Sequence, residues 1–218
     1  MTDHTAYWNG AGAAKTFTHP LHAAWIRRAD RILDYGCGYG RTVAELAGLG
    51  CTRVRGADPS AALIERGHRE RPDLDLCVAD SPDRLAAGSF DTVLLFAVLT
   101  CVPADTAQRD LVAGLATLLV PGGRLYVSDY VLQNDDRNRH RYDTWARDHD
   151  DPYGTFATTD GAVCRHHDIA HLRSLLTGAG LTPEEERPIT VRTMNGHDAR
   201  GTQLLYRLPG GKERRSRA

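Results

Sequence analysis

Along the first 130 residues, short apolar runs alternate with stretches whose apolar positions recur at helical spacing. Arg31–Tyr35 reads as a first strand, and Thr42–Leu49 as the helix that follows a glycine turn. Val54–Asp58 is a second short strand, and Ser60, after Pro59, caps a helix through Ile64 to about His68. Leu74–Ala79 gives a third strand ending at Asp80. Phe90–Val98 is almost wholly apolar after Asp91, as expected of a strand buried on both faces. Leu111, Leu115, Leu118 and Leu119 mark a helix that stops at Pro121-Gly122-Gly123, and Arg124–Ser128 is a fifth strand. Ahead of these, Pro20 suits the first turn of a helix reaching about Ala29, with Leu21 and Trp25 on one face. Such alternation predicts an α/β, doubly wound sheet with right-handed crossovers.

The pattern breaks between Asp129 and Arg165, a polar stretch of loops with room for one helix. Its Tyr130, Tyr142, Trp145, Tyr153 and Phe156 argue against disorder, and a long irregular segment inside a domain is usually functional. Regular structure resumes with a helix at Asp168–Gly178. Pro188–Thr193 and Gly201–Leu208 then form an antiparallel pair around the Met194-Asn195-Gly196-His197 turn.

The 218 residues, 41% hydrophobic and 25% charged, fit one globular domain. A net charge of −1 supplies no field to recruit nucleic acid or an acidic membrane. The basic run Lys212–Arg217 reads as a solvated tail. Cysteines at 37, 51, 77, 101 and 164 show no paired spacing, so neither a disulfide framework nor a zinc site is indicated. With no signal-like start and no membrane-length apolar run, a cytoplasmic location is expected. Oligomeric state is left open, a homodimer among the options.

The turn Asp34-Tyr35-Gly36-Cys37-Gly38-Tyr39-Gly40 carries the chemistry. A strand that ends in glycines and opens into a helix brings bare backbone close to a ligand. A dinucleotide fingerprint would put its third glycine where Arg41 stands. Asp34, two residues before the first glycine, would repel a pyrophosphate and attract an ammonium group. The frame therefore favours a cationic, amino-acid-bearing nucleoside, and it resembles motif I of the class I S-adenosylmethionine (SAM)-dependent methyltransferases.

That resemblance spans about residues 30–130 and implies a seven-stranded sheet, mostly parallel, with a C-terminal antiparallel hairpin and helices on both faces. It implies an N-terminal lid and first helix (1–29), a SAM-binding core (30–129) and an acceptor-side lid insertion (130–165). The last helix and hairpin (166–208) and a tail (209–218) complete the chain. By the same resemblance Asp34, Gly36, Cys37, Gly38 and Gly40 form the cofactor turn. Asp58, followed by Pro59, accepts from the ribose hydroxyls, and Asp80-Ser81 meets the adenine. Phe96-Ala97 lines the sulfonium, while Trp8 and Lys15 belong to a segment that folds over the cofactor with Tyr7 and Phe17.

The family's other signatures narrow the acceptor. After the fourth strand, Ala97-Val98-Leu99-Thr100 replaces the Pro-Pro-aromatic turn of nucleic-acid amino-methyltransferases, and Asp151-Pro152-Tyr153 lies in the wrong element. Cys101 lacks the preceding proline of cytosine-carbon methylation and reads as a small buried hydrophobe. The acids that hold magnesium in catechol-type enzymes are missing from the fourth strand, so no metal is expected. What is left is methyl transfer to an O, N or S nucleophile of a small-molecule metabolite, without nucleic acid or membrane as partner. His166 and His167 are the first candidates for a base, then His197, then His19. Arg165 could orient an anion. Rival readings are a non-catalytic SAM-binding regulatory protein and an aminopropyl transferase using Asp129, Asp135 and Asp136. A nicotinamide oxidoreductase is disfavoured by Asp34 and Arg41.

Overall fold

A computed structural model describes residues 4–16, 19–193 and 196–210. Phe17, Met194, Asn195 and the basic tail lie outside the described residues. Strands β1 (Ile32–Tyr35), β2 (Val54–Asp58), β3 (Leu76–Val78), β4 (Phe90–Phe96) and β5 (Leu119–Tyr130) are parallel. β8 (Thr182–Arg192) and β9 (Asp198–Arg207) complete a seven-stranded sheet of order β3-β2-β1-β4-β5-β9-β8, with β9 antiparallel to both neighbours. This is the doubly wound sheet with a C-terminal antiparallel hairpin that the sequence predicts. β6 (Thr155–Ala157) and β7 (Val163–Arg165) pair as a separate small hairpin.

The period-two alternation of strand side chains divides the apolar residues between two faces. Leu33, Val93, Leu95, Leu125 and Val127 point to one face, beneath α4 (Asp105–Leu118) and α6 (Ile169–Gly178). Ile32, Leu94, Phe96, Tyr126 and Leu205 point to the other, against Trp25 and Leu46 of α2 (Arg41–Gly48). α3 (Ala61–Glu70) begins as expected, with the Ser60 hydroxyl accepting from Leu63 N–H at 3.2 Å. Among the described residues, no helix is long and apolar enough to cross a membrane.

Three expectations are corrected. Residues 20–29 form no helix beyond a single 3-10 turn at Ala23–Trp25. Tertiary bonds override the local pattern: Gln203 Nε2 donates to Pro20 O at 2.6 Å, His22 N–H to the Tyr126 hydroxyl at 3.0 Å, and Trp25 Nε1 to Glu185 at 2.9 Å. A short α1 (His4–Asn9) instead packs on α3. β5 starts at Leu119 rather than Arg124, because Leu119 pairs with Phe90 and Arg124 with Thr92. The Pro-Gly-Gly turn is thereby accommodated as a bulge within the strand, with Gly122 at φ +84°. Finally, residues 130–165 are more regular than expected. They hold α5 (Asp136–Asp148), capped by Asp135 accepting from Asn138 N–H at 3.0 Å, and the β6–β7 hairpin.

Candidate functional site

Beyond Tyr35 the chain turns through Gly36, Gly38 and Gly40 at φ +78°, +57° and +83°. Gly36 and Cys37 N–H both donate to Ala57 O, at 2.7 and 3.1 Å, tying the turn to β2. A Cβ on Gly36 would lie 2.3 Å from Val98 Cγ2, and one on Gly40 would lie 3.0 Å from Leu76 Cδ1. A Cβ on Gly38 would meet no atom nearer than Leu63 Cδ1 at 3.9 Å, so that flank of bare backbone faces open space. Gly56 and Gly67 also matter and escaped the sequence reading. A Cβ on Gly56 would meet Leu76 Cδ2 at 2.7 Å and Cys37 Sγ at 2.8 Å, and one on Gly67 would meet Tyr39 O at 2.9 Å. Both let β2 and α3 close beneath the turn. The visible signal was a glycine inside the short strand Val54–Asp58.

A cavity of about 150 Å³ opens over this turn. Asp34, Gly36, Cys37, Gly38, Asp58 and Pro59 lie on its wall. Phe96, Ala97, Trp8, Lys15 and His19 line it as well. Asp58 accepts from Gly38 N–H and Ser60 N–H, each at 2.8 Å, and so is aimed across the turn. Burial raises its carboxyl, against those two backbone donors. Burial pushes Asp34 up to about 7, opposed by the Arg41 guanidinium and assisted by Asp58. Tyr39, Arg41, Thr42 and Leu63 also line this cavity, unannounced by any sequence signal except their nearness to the turn.

Gly40 stands behind the wall as the N-cap of α2. Asp80 and Ser81 do not reach it. β3 ends at Val78, and the Asp80 side chain, 67% exposed, pairs with Arg84 at 3.3 Å. An adenine role for these two residues therefore has no support from their placement here.

Ala97 carries a left-handed torsion, φ +54°, while its N–H donates to Ser128 O at 2.8 Å. Left-handed backbone costs a residue with a Cβ roughly 1–2 kcal/mol, and such strain gathers at ligand sites. Ala97→Gly is expected to change stability by less than about 1 kcal/mol, because torsional relief offsets the usual entropic loss. Ala97→Val is expected to cost about 2 kcal/mol or more. Urea denaturation of the two variants checks the contrast.

A second cavity, about 410 Å³, lies between the N-terminal segment, α5, the β6–β7 hairpin and the β8–β9 turn. It shares Trp8, Lys15 and Cys101 with the first. Tyr130, Arg141, Phe156 and His166 line it, as does the exposed His197. Lys15 is ion-paired with Asp160, tying the N-terminal segment to the hairpin. Cys101 and Cys164 share a hydrogen bond that holds Cys164 below and Cys101 above the usual thiol range. Among the described residues, no group of three or more His, Cys, Asp and Glu side chains is placed to hold a metal ion.

The four candidate histidines separate. His19 lies on the first cavity, its Nδ1 3.0 Å from the Ser128 hydroxyl, its Nε2 buried without a partner. Burial and Arg41 lower it to about 3. His166 faces the second cavity, lowered to about 3 by burial and then by Arg141. The Tyr142 hydroxyl accepts from Gln133 N–H at 3.4 Å and from Arg141, so its own proton is directed at His166 Nδ1, 2.5 Å away. Neutral His166 then carries its proton on Nε2 and meets the cavity as a donor.

His167 is a correction. Neighbours in extended chain point to opposite sides, and His167 is buried against a third cavity, its Nε2 3.9 Å from Asp129 and its ring 6.0 Å from that of His171. Arg165 is likewise committed elsewhere, donating to Pro103 O at 2.9 Å and to Asp105 at 2.5 Å.

Residues 11–186 match a family described as a methyltransferase domain. Among curated relatives, a demethylmenaquinone methyltransferase of Beutenbergia cavernae is 38% identical over 116 residues, covering 50% of this chain and 45% of its own length. The chain spans about half the length of the curated relatives it matches. A solved SAM-dependent methyltransferase of Methanosarcina mazei superposes with a TM-score of 0.82 at 21% identity, over 89% of this chain and all of that one. The 1,6-didemethyltoxoflavin-N1-methyltransferase of Burkholderia thailandensis, solved with 1,6-didemethyltoxoflavin and S-adenosylhomocysteine, gives a TM-score of 0.63 at 20% identity, over 95% and 80%. The chain thus belongs to the class I methyltransferase-domain family, whose cofactor is SAM.

Proposed function

We propose that this chain transfers a methyl group from SAM to an O, N or S nucleophile of a small molecule, without a metal in the transfer. The observation that carries this reading is the junction of the two cavities at Trp8, Lys15 and Cys101. A donor over the glycine turn and an acceptor among the aromatic residues would meet there, screened from water.

The residues present fit the cofactor. Gly38 leaves an open flank for a ligand, Asp58 offers a carboxylate for ribose hydroxyls, and Asp34 offers one for an ammonium group. When bound, SAM supplies a methyl carbon already activated by its sulfonium. The chain's own task is to align the two partners and to hold the acceptor. His166 serves as a donor that orients the acceptor rather than as a base, so the acceptor's own ionisation governs the proton. His166→Gln is expected to raise KM several-fold while kcat stays within about tenfold. At saturating SAM the pH–rate profile between 5 and 8 should follow the acceptor and show no histidine step.

Asp34 gives the donor site a pH dependence. Only its ionised form pairs with an ammonium, so S-adenosylhomocysteine affinity should fall about tenfold per unit below pH 7 and level off above it. Asp34→Asn should flatten that slope, as calorimetry at pH 5.5 and 7.5 would read. Fold stability is a poorer probe. Asp34 and Asp129, both raised to about 7, contribute stability below about 3.8 that is lost as pH rises through 7. His19 and His166, lowered to about 3, contribute stability above 6.5 that is lost as pH falls, so the two effects oppose each other in between.

Incubation with methyl-labelled SAM and pooled metabolite fractions tests the activity itself. Label transfer into a small molecule with release of S-adenosylhomocysteine is expected. Label that stays in SAM with every fraction would contradict catalysis.

A further inference from the structure

Resting on the reading of the second cavity as the acceptor site, we infer that its acceptor is a planar aryl or heteroaryl carboxylate, with the carboxylate held by Arg141 and the ring lying among Tyr130, Phe156 and His166. Arg141 is the unusual group. Its guanidinium stacks 3.5 Å over the Phe156 ring and lies 5.7 Å from that of Tyr142. Its Nε is buried with no hydrogen-bond partner. No carboxylate among the described residues pairs with it; it donates to the neutral Tyr142 hydroxyl, and the next group acting on it is another cation, Arg137.

The acids on the same wall are already committed. Asp135 accepts from Asn138 N–H at 3.0 Å, and Asp198 pairs with Arg192 at 3.6 Å. Lys15, another cation on the lining, is taken by Asp160. A partly buried cation without a counter-charge is costly, and an anionic ligand would remove that cost. Arginine also presents paired donors that match a carboxylate edge, as a lysine would not.

The remaining walls specify the rest of the molecule. The Tyr130 and His166 rings lie 5.3 Å apart at 33°, and Phe156 meets His166 edge-on at 4.9 Å. These rings suit a flat aromatic body. His166 Nε2–H adds a second donor, suited to a hydroxylate or carbonyl oxygen on the ring. At about 410 Å³ the cavity falls in the ~300–1,000 Å³ range of small-molecule sites.

The test uses the full chain saturated with S-adenosylhomocysteine and titrated with benzoate, 4-hydroxybenzoate, 1-hydroxy-2-naphthoate and the carboxamide of each. At least one acid should bind at least tenfold more tightly than its carboxamide. Arg141→Gln should erase that preference, and Arg141→Lys should restore part of it. S-adenosylhomocysteine titrated alone reports the donor site, so loss there would instead count against the methyltransferase reading. With the donor bound, carboxamides that match or exceed the acids overturn the inference. So does a preference that survives in Arg141→Gln, or no binding by any of the acids.

Discussion

Changing Asp58 to alanine should weaken S-adenosylhomocysteine binding about 100-fold while the protein stays folded. The Asp58 carboxylate accepts from Gly38 N–H and Ser60 N–H at 2.8 Å each, on the wall of the first cavity. Hydrogen bonds to an ionised group contribute about 1.5–3 kcal/mol each, and about 3 kcal/mol corresponds to 100-fold in affinity. The alanine loses the ligand's partner and also frees the two backbone donors that aim the turn. Asp58→Asn keeps one acceptor oxygen and should fall between, near tenfold. Calorimetry gives the affinities, and circular dichroism checks the fold. An alanine variant that binds within threefold of the parent chain would remove Asp58 from the ribose site.

Gly36→Ala should be as damaging by a different route. It forces a Cβ into φ +78° and places it 2.3 Å from Val98 Cγ2. Left-handed torsion costs roughly 1–2 kcal/mol and overpacking typically 1–3 kcal/mol, so a loss of about 3 kcal/mol in urea denaturation is expected. Because relief requires the turn to move off the cavity, ligand binding should become undetectable. Combining Gly36→Ala with Val98→Ala removes the clash and leaves the torsion, so the double variant should recover part of the stability. A Gly36→Ala protein with the parent urea midpoint would contradict the packing described.

What the sequence disclosed was mostly local. The glycine frame was legible because its torsions exclude other residues, and the helix cap Ser60 because a short polar side chain at a helix start has one main use. Apolar alternation was enough to order the strands. The failures came where distant chain segments decide. The helix expected from Pro20 gave way to a bond from Gln203 to Pro20 O and one from His22 N–H to Tyr126, partners that no window around Pro20 contains. His166 and His167 looked equivalent in sequence, yet extended backbone sends them to different cavities. Arg165 was the cation expected to orient an anion, and it is held instead by Pro103 O and Asp105. Arg141 drew no notice, because its lack of a counter-charge exists only once α5 packs on the β6–β7 hairpin.

A crystal structure of the chain with S-adenosylhomocysteine bound tests the two-cavity arrangement most directly. The nucleoside should lie over Gly36–Gly40 with its ribose on Asp58. The sulfur should sit beside Trp8 and Cys101, pointing into the cavity that holds Arg141 and His166. Ligand bound elsewhere, or a sulfur turned away from that cavity, would contradict it.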